Sequence, residues 1–137
     1  MTPDKLAALH AKCFEMPRPW TAGEFASLLN TKGVFLQSIP AGFALGREIA
    51  GETELLTLAV DPTHQRHGNG KLLLTQFETE AHKRGATVVF LEVAANNTAA
   101  RGLYGSTGYR ESGCRANYYT PPAGPKIDAI LLRKHLI

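Results

Sequence analysis

The sequence predicts an α+β domain organised on one mixed sheet, and three observations carry that prediction. Two amphipathic helical segments precede three strand-like runs, and two of those runs flank Pro40-Ala41-Gly42, a hairpin signal. A strand–helix–strand unit then spans residues 55–93. If both of its strands share a sheet, they must be parallel with a right-handed crossover. At 137 residues the chain is one ordinary domain's worth, 1–137, and a core of its own is expected.

The elements follow in order. Thr2-Pro3 opens a helix, with Pro at the first helical position, and Leu6, Leu9, Cys13 and Phe14 recur at helical spacing. Pro17 and Pro19 end it. Thr21 to Glu24 reads as a capping box for a second short helix with Phe25, Leu28 and Leu29 on one face, closed by Gly33. Strands are expected at Val34–Ile39, Phe43–Ala50 and Leu55–Val60, the last stopped by Asp61-Pro62. Lys71–Arg84 carries Leu73, Leu74, Phe77 and Ala81 on one helical face, and Gly85 stands at a natural C-cap position. Thr87–Val93 is β-branched and apolar, which suits a buried central strand. A short helix at Thr98–Ser106 and strands at Tyr109–Arg115 and Ile127–Leu132 complete the chain, with the 120–125 stretch as the loop between those strands.

Composition narrows the function. The chain is 44% hydrophobic and 20% charged, near globular averages, and its formal charge of +3 is too small to make nucleic-acid binding the leading reading. An anionic small ligand is enough to motivate it. Cys13 and Cys114 lie far apart without further ligand-spaced residues, so neither a disulfide scaffold nor a zinc site is expected. No signal peptide is visible, and no stretch approaches the roughly 18 apolar residues of a membrane span. The expectation is a cytoplasmic protein with no membrane partner.

The most informative segment is Gln65-Arg66-His67-Gly68-Asn69-Gly70-Lys71, which follows a strand and opens a helix. Free backbone N–H groups and the positive helix end make an anion site there, glycines let the backbone close on a phosphate, and Arg66 and Lys71 add charge. A Walker A loop would need Gly at Gln65 and Ser or Thr at Leu72; a dinucleotide fingerprint would need Gly at Leu73. Both fail. What remains, Gln-Arg-x-Gly-x-Gly, resembles the acyl-coenzyme A loop of the GNAT acetyltransferase superfamily.

The resemblance extends along nearly the whole chain. LTLAVDPTHQRHGNGKLLL, FLEVAANNTAARGLYGSTGY and RANYYTPPAGPKIDAILL resemble RimI-type ribosomal-protein-alanine N-acetyltransferases in order and spacing, and CFEMPRPWTAGEF resembles their first loop and second helix. That likeness implies a mixed, mostly antiparallel sheet with helices on both faces, here without the usual first edge strand, a difference that leaves the oligomeric state open. It implies acetyl-CoA as co-substrate, bound by Gln65, Arg66, His67, Gly68, Asn69, Gly70 and Lys71 at its pyrophosphate. Leu58, Ala59 and Val60 would pair with the pantetheine amides through their backbone, and Asn97 would sit nearby. It implies Glu92 as general base, Tyr104 as general acid to the sulfur, and Tyr118 and Tyr119 as a wall of the acceptor site.

The residues themselves speak to these roles unevenly. Glu92 is the only ionisable group in an apolar strand, where desolvation raises a carboxyl pKa toward a useful range. Asn97 serves equally as a cap for the helix that starts at Thr98. His64 and His67 lack a convergent carboxylate, so no metal is expected. Gly102 and Gly105 weaken the helix of Tyr104 relative to alanine. The acceptor expected is the α-amine of a protein, an N-terminal alanine of a small-subunit ribosomal protein, with Glu52, Glu54 and Asp61 as candidates to meet its basic residues. A GNAT enzyme for a small amine or lysine is the alternative, and a non-catalytic acyl-CoA binding module is the reading from another class.

Overall fold

Thr2 starts the first helix as its sequence predicts. Its Oγ1 accepts from the Lys5 N–H at 3.3 Å, and α1 runs Pro3–Cys13. The computed structural model describes residues 1–14, 18–65 and 67–136, so the stop expected at Pro17 lies outside the described residues. The capping box forms in full: Thr21 Oγ1 accepts from the Glu24 N–H, Glu24 returns a carboxylate to the Thr21 N–H, and α2 runs Ala22–Leu29.

A six-stranded sheet follows: β1 (Val34–Ile39), β2 (Gly42–Ile49), β3 (Glu52–Val60), β4 (Val88–Ala94), β5 (Arg110–Tyr119) and β6 (Ile127–His135). Their spatial order is β1-β2-β3-β4-β6-β5. Every neighbouring pair is antiparallel except β3–β4, which is parallel as the crossover rule requires. The crossover helix α3 spans Asn69–Lys83, and α4, Thr98–Ser106, links β4 to β5. No strand precedes α1 among the described residues, and β1 forms one edge of the sheet.

Helices cover both faces. α3 buries Leu73, Leu74 and Phe77 against Phe35, Leu55 and Leu91, and Tyr104 of α4 joins that cluster. On the opposite face, Leu6 and Leu9 of α1 and Phe25 of α2 pack on Phe43, Leu45 and Ala59. A bulge between Leu45 and Gly46 inserts Leu56 as an unpaired residue of β3, so the side chains after it keep both clusters supplied.

Several details differ from expectation, and β6 runs on to His135 beyond the expected Leu132. β3 begins at Glu52 rather than Leu55, because Glu52, Thr53 and Glu54 pair with β2 and β4 despite their polarity. β5 continues past Arg115 to Tyr119; most of its side chains are exposed, so register with β6 rather than apolar alternation defines it. The loop after Asp61 holds a single 3₁₀ turn, Pro62–His64, capped when Asp61 Oδ1 accepts from the Thr63 N–H at 3.0 Å.

His10 is the core residue that sequence periodicity passes over. It is 1% exposed and stacks on Phe14 and Trp20 at 4.4 and 5.1 Å between ring centroids. Nδ1 accepts from the Trp20 backbone N–H at 3.0 Å, so Nε2 carries the proton and donates to Thr57 Oγ1 at 3.0 Å. Burial lowers its pKa to about 4, against a partial opposing pull from Glu24.

Candidate active site

The parallel pairing of β3 with β4 ends early, and the site grows from that fact. Register is kept at Glu52↔Val88, Thr53↔Val89 and Glu54↔Phe90, and no further. Beyond that point β3 stays paired with β2 through Val60, while its other rail of backbone groups, from Leu55 to Val60, faces a widening fork. Leu58, Ala59 and Val60 therefore lie where an extended amide-bearing ligand can add as a strand. The Val60 carbonyl is already engaged by Cys13 Sγ at 3.2 Å and Gln65 Nε2 at 3.1 Å.

At the mouth of the fork stands the N-terminus of α3. Gly68 holds φ +79°, a left-handed cap that strains any other residue, and a Cβ there would meet nothing within 4 Å. No side chain of a described residue caps the helix. Its first N–H groups are therefore free to bind an anion in an open space, with Lys71 exposed in the same turn. Gln65 and Asn69 shape this loop, since Asn69 Nδ2 donates to the His64 carbonyl at 2.9 Å. His67 is exposed beside it, and Arg66 lies outside the described residues. Gly70 matters for packing instead: a Cβ there would sit 3.2 Å from Leu103 Cδ2, so its absence lets α4 close on α3. These residues fit a pyrophosphate joined to an extended chain.

Tyr104 is brought in by that contact between the helices. Its ring is 7% exposed and meets Tyr109 edge-on at 5.5 Å, while the Tyr109 hydroxyl donates to Glu78 Oε2 at 2.8 Å. Burial pushes the Tyr104 phenol far above its usual range, so it is held neutral with a proton to give. Its hydroxyl bonds to no described residue. Asn97 is the N-cap of α4: Oδ1 accepts from the Ala100 N–H at 3.1 Å, which leaves its Nδ2 free of described partners.

Glu92 stands on β4 two residues past the last β3 pairing, on the face that carries α1 and α2. Sequence suggests a carboxylate isolated among apolar neighbours. The structure corrects this, because Arg115 Nη2 lies 3.3 Å from Glu92 Oε1, delivered across β6 by the register Arg115↔Ala129 and Glu92↔Leu131. Burial raises the Glu54 carboxyl, which is pushed further by the charge of Glu92 and opposed by Arg47 and Arg115. Glu52 and Asp61 are engaged elsewhere, Glu52 with Arg133 at 3.0 Å and Asp61 with Lys12 at 3.7 Å.

Tyr118 and Tyr119 meet edge-on at 5.1 Å on β5, where Asn117 turns through φ +54° and donates its N–H to Asp128 Oδ1 at 2.8 Å. Burial and then the charge of Glu92 raise the Tyr119 phenol. Arg115 and Glu54 are the residues sequence reasoning missed as neighbours of Glu92. His64 and His67 are exposed, and among the described residues no group of three or more His, Cys, Asp or Glu side chains converges for a metal.

Known proteins resemble this chain along most of its length. The profile of the Acetyltransferase (GNAT) family matches residues 4–109. The chain is 37% identical over 135 residues to the [ribosomal protein bS18]-alanine N-acetyltransferase of Escherichia coli (strain K12), covering 96% of this chain and 90% of that one. It is 36% identical over 123 residues to the enzyme of that name from Haemophilus ducreyi, covering 86% and 84%. The crystal structure of the Escherichia coli ribosomal-protein-S18-alanine N-acetyltransferase superposes with a TM-score of 0.82 at 33% identity, over 94% of this chain and 84% of that one.

Proposed function

The chain belongs to the acetyltransferase (GNAT) family and is an N-acetyltransferase that uses acetyl-CoA; from that premise we propose that its acceptor is the N-terminal alanine of a small-subunit ribosomal protein, acetylated in the cytoplasm. The observation that carries the acceptor is the likeness, along nearly the whole chain, to enzymes named for alanine acetylation of bS18. No helix among the described residues is long and apolar enough to cross a membrane.

In this reading the free N–H groups of Gly68–Lys71 hold the pyrophosphate, and the β3 rail at Leu58–Val60 holds the pantetheine. When bound, acetyl-CoA supplies the acetyl group as a thioester. α3 reaches the fork from one face of the sheet, and Glu92 lies on the other, so the acceptor enters opposite the cofactor. Glu92 takes the proton of the α-amine on its carboxylate, which Arg115 holds in place by an ion pair. Tyr104, held neutral by burial, gives its phenolic proton to the leaving sulfur.

An α-amine loses its proton about two and a half pH units below a lysine amine, so a single carboxylate suits it. The test is competition between an Ala-initiated basic peptide, the same peptide with a blocked N-terminus and a free lysine, and a polyamine. The free α-amine should win by about a hundredfold or more in kcat/KM at neutral pH. Equal turnover of the blocked peptide or the polyamine would move the chain to the lysine or small-amine class, and no turnover of any would leave only a binding module.

A further inference from the structure

One titratable group at the fork has no part in the chemistry so far. Glu54 is the last residue of β3 in register with β4, paired with Phe90, and Glu92 stands two residues beyond Phe90 on the same face. In that geometry the two side chains point to one side of the sheet across the point where the strands separate. Glu54 is half-buried and lines a shallow hollow with Arg47, Ile49, Glu52 and Phe90. Its neighbours differ in their commitments. Glu52 is paired with Arg133, and Glu92 with Arg115, whereas Glu54 is within 4 Å of no cationic group of a described residue.

We propose that Glu54 and Glu92 act as one proton-handling pair, in which Glu92 takes the proton of the acceptor ammonium and passes it to Glu54, which holds it until release to solvent. The inference rests on the reading that Glu92 meets the acceptor amine. The step balances as two proton transfers: the N–H bond breaks as an O–H bond forms on Glu92, and that O–H breaks as another forms on Glu54. No electron changes hands. Division of labour follows from the charges that face the pair. Arg115, arriving from β5, is already paired with Glu92, while Arg47 from β2 opposes only in part the burial and like charge that favour a proton on Glu54. Glu52 on β3, Tyr119 on β5 and Arg133 on β6 complete the ionisable surroundings, and the Glu52–Arg133 pair is self-neutralising. The proton thus leaves the amine for a site that does not touch the substrate, and Glu92 is free again before the acetylated product departs.

The experiment compares Glu54→Gln, Glu54→Asp and Glu92→Gln with wild type across pH 5–8, using an Ala-initiated basic peptide and acetyl-CoA. Glu54→Gln should lower kcat about tenfold at neutral pH, below the usual share of a direct general base, with little change in the KM for acetyl-CoA. Substrate ionisation is common to both enzymes and cancels in the ratio of their profiles. That ratio, wild type over Glu54→Gln in kcat/KM, should fall toward one as pH drops and Glu54 becomes protonated in the wild type. Glu54→Asp, which keeps a carboxylate, should recover most of the loss. Carboxyl carbon NMR titration of the resting protein gives an independent readout: Glu54 should titrate above the ordinary glutamate range and move down in Glu92→Gln. An unchanged rate and a flat ratio in Glu54→Gln, with Glu92→Gln impaired, would overturn the relay and leave Glu92 as a solitary base. A loss in Glu54→Gln with Glu92→Gln fully active would overturn both roles of Glu92.

Discussion

The two ends of the fork are built from different materials. At the end proposed for the cofactor, the N-terminus of α3 and the free rail of β3 offer backbone N–H and C=O groups, and the glycines matter for what they leave out. At the end proposed for the acceptor, Glu92, Arg115, Glu54 and Tyr119 offer side chains gathered from three strands. A ligand shared by a whole family can be held by backbone geometry, which tolerates sequence drift. An acceptor that must be told apart from other amines needs side chains, and these are where this chain can differ from its relatives.

The difference can be broken most sharply by one substitution on each side. Glu92→Gln should lower kcat by about two orders of magnitude, as loss of a general base does, and leave the melting-temperature rise caused by acetyl-CoA intact. Gly68→Val should do the reverse in binding: with φ +79° denied to it, the cap of α3 must rearrange, and the rise caused by acetyl-CoA should vanish. Thermal melts with and without ligand, beside steady-state kinetics, read both. If Gly68→Val keeps the ligand-induced rise, the backbone account of the cofactor end is wrong.

The same contrast explains what the sequence revealed. The change from a strand through glycines to an amphipathic helix is local, so Gly68 and Gly70 disclose it without any knowledge of the rest of the chain. The parallel crossover was legible for a similar reason, since handedness follows from chain chirality. Arg115 was not legible as the partner of Glu92, because it reaches that carboxylate only through the β4–β6 and β6–β5 registers, the second of which is interrupted by irregularities. Glu54 was hidden likewise. It reads as one of several surface acids until β4 brings Glu92 beside it. His10 escapes helical periodicity because that signal lies in aliphatic and aromatic positions, while the fold satisfies both ring nitrogens and buries it among aromatic side chains.

His10 sharpens the comparison within the face that carries the acceptor side, because a polar side chain there has become part of the core. Its folded pKa of about 4 lies below the usual 6.5, so the unfolded chain binds the proton first as pH falls. Stability from this site is therefore full above pH 6.5 and is lost between 6.5 and about 4, by about 3 kcal/mol at the lower limit. Urea melts at pH 7, 5.5 and 4 should show that loss. In His10→Asn the protein should be less stable at pH 7 but should lack this component of the acid slope. An equally steep slope in His10→Asn would place the acid sensitivity in other groups.

The smallest expected effect lies in α4, the element that ties the two ends together through Leu103 and Tyr104. Gly102 and Gly105 interrupt it, and both are exposed, with nothing within 4 Å of the Cβ each lacks. Neither has the positive φ that would require glycine. Alanine is then free to enter at both positions, and each should add about 0.5–1 kcal/mol by reducing the freedom of the unfolded chain and favouring the helix. The consequence for activity separates two uses of this helix. If Tyr104 is placed by its burial against Tyr109, a stiffer α4 changes stability alone and kcat stays as it is. If flexible glycines instead loosen the phenol, as their helix propensity suggests, Gly102→Ala/Gly105→Ala should raise kcat together with the melting temperature. The buried ring and the contact of Leu103 with Gly70 favour the first outcome, a rise in melting temperature with kcat unchanged. A fall in melting temperature for the double variant would mean that alanine does not fit at Gly102 or Gly105 as the open space there implies.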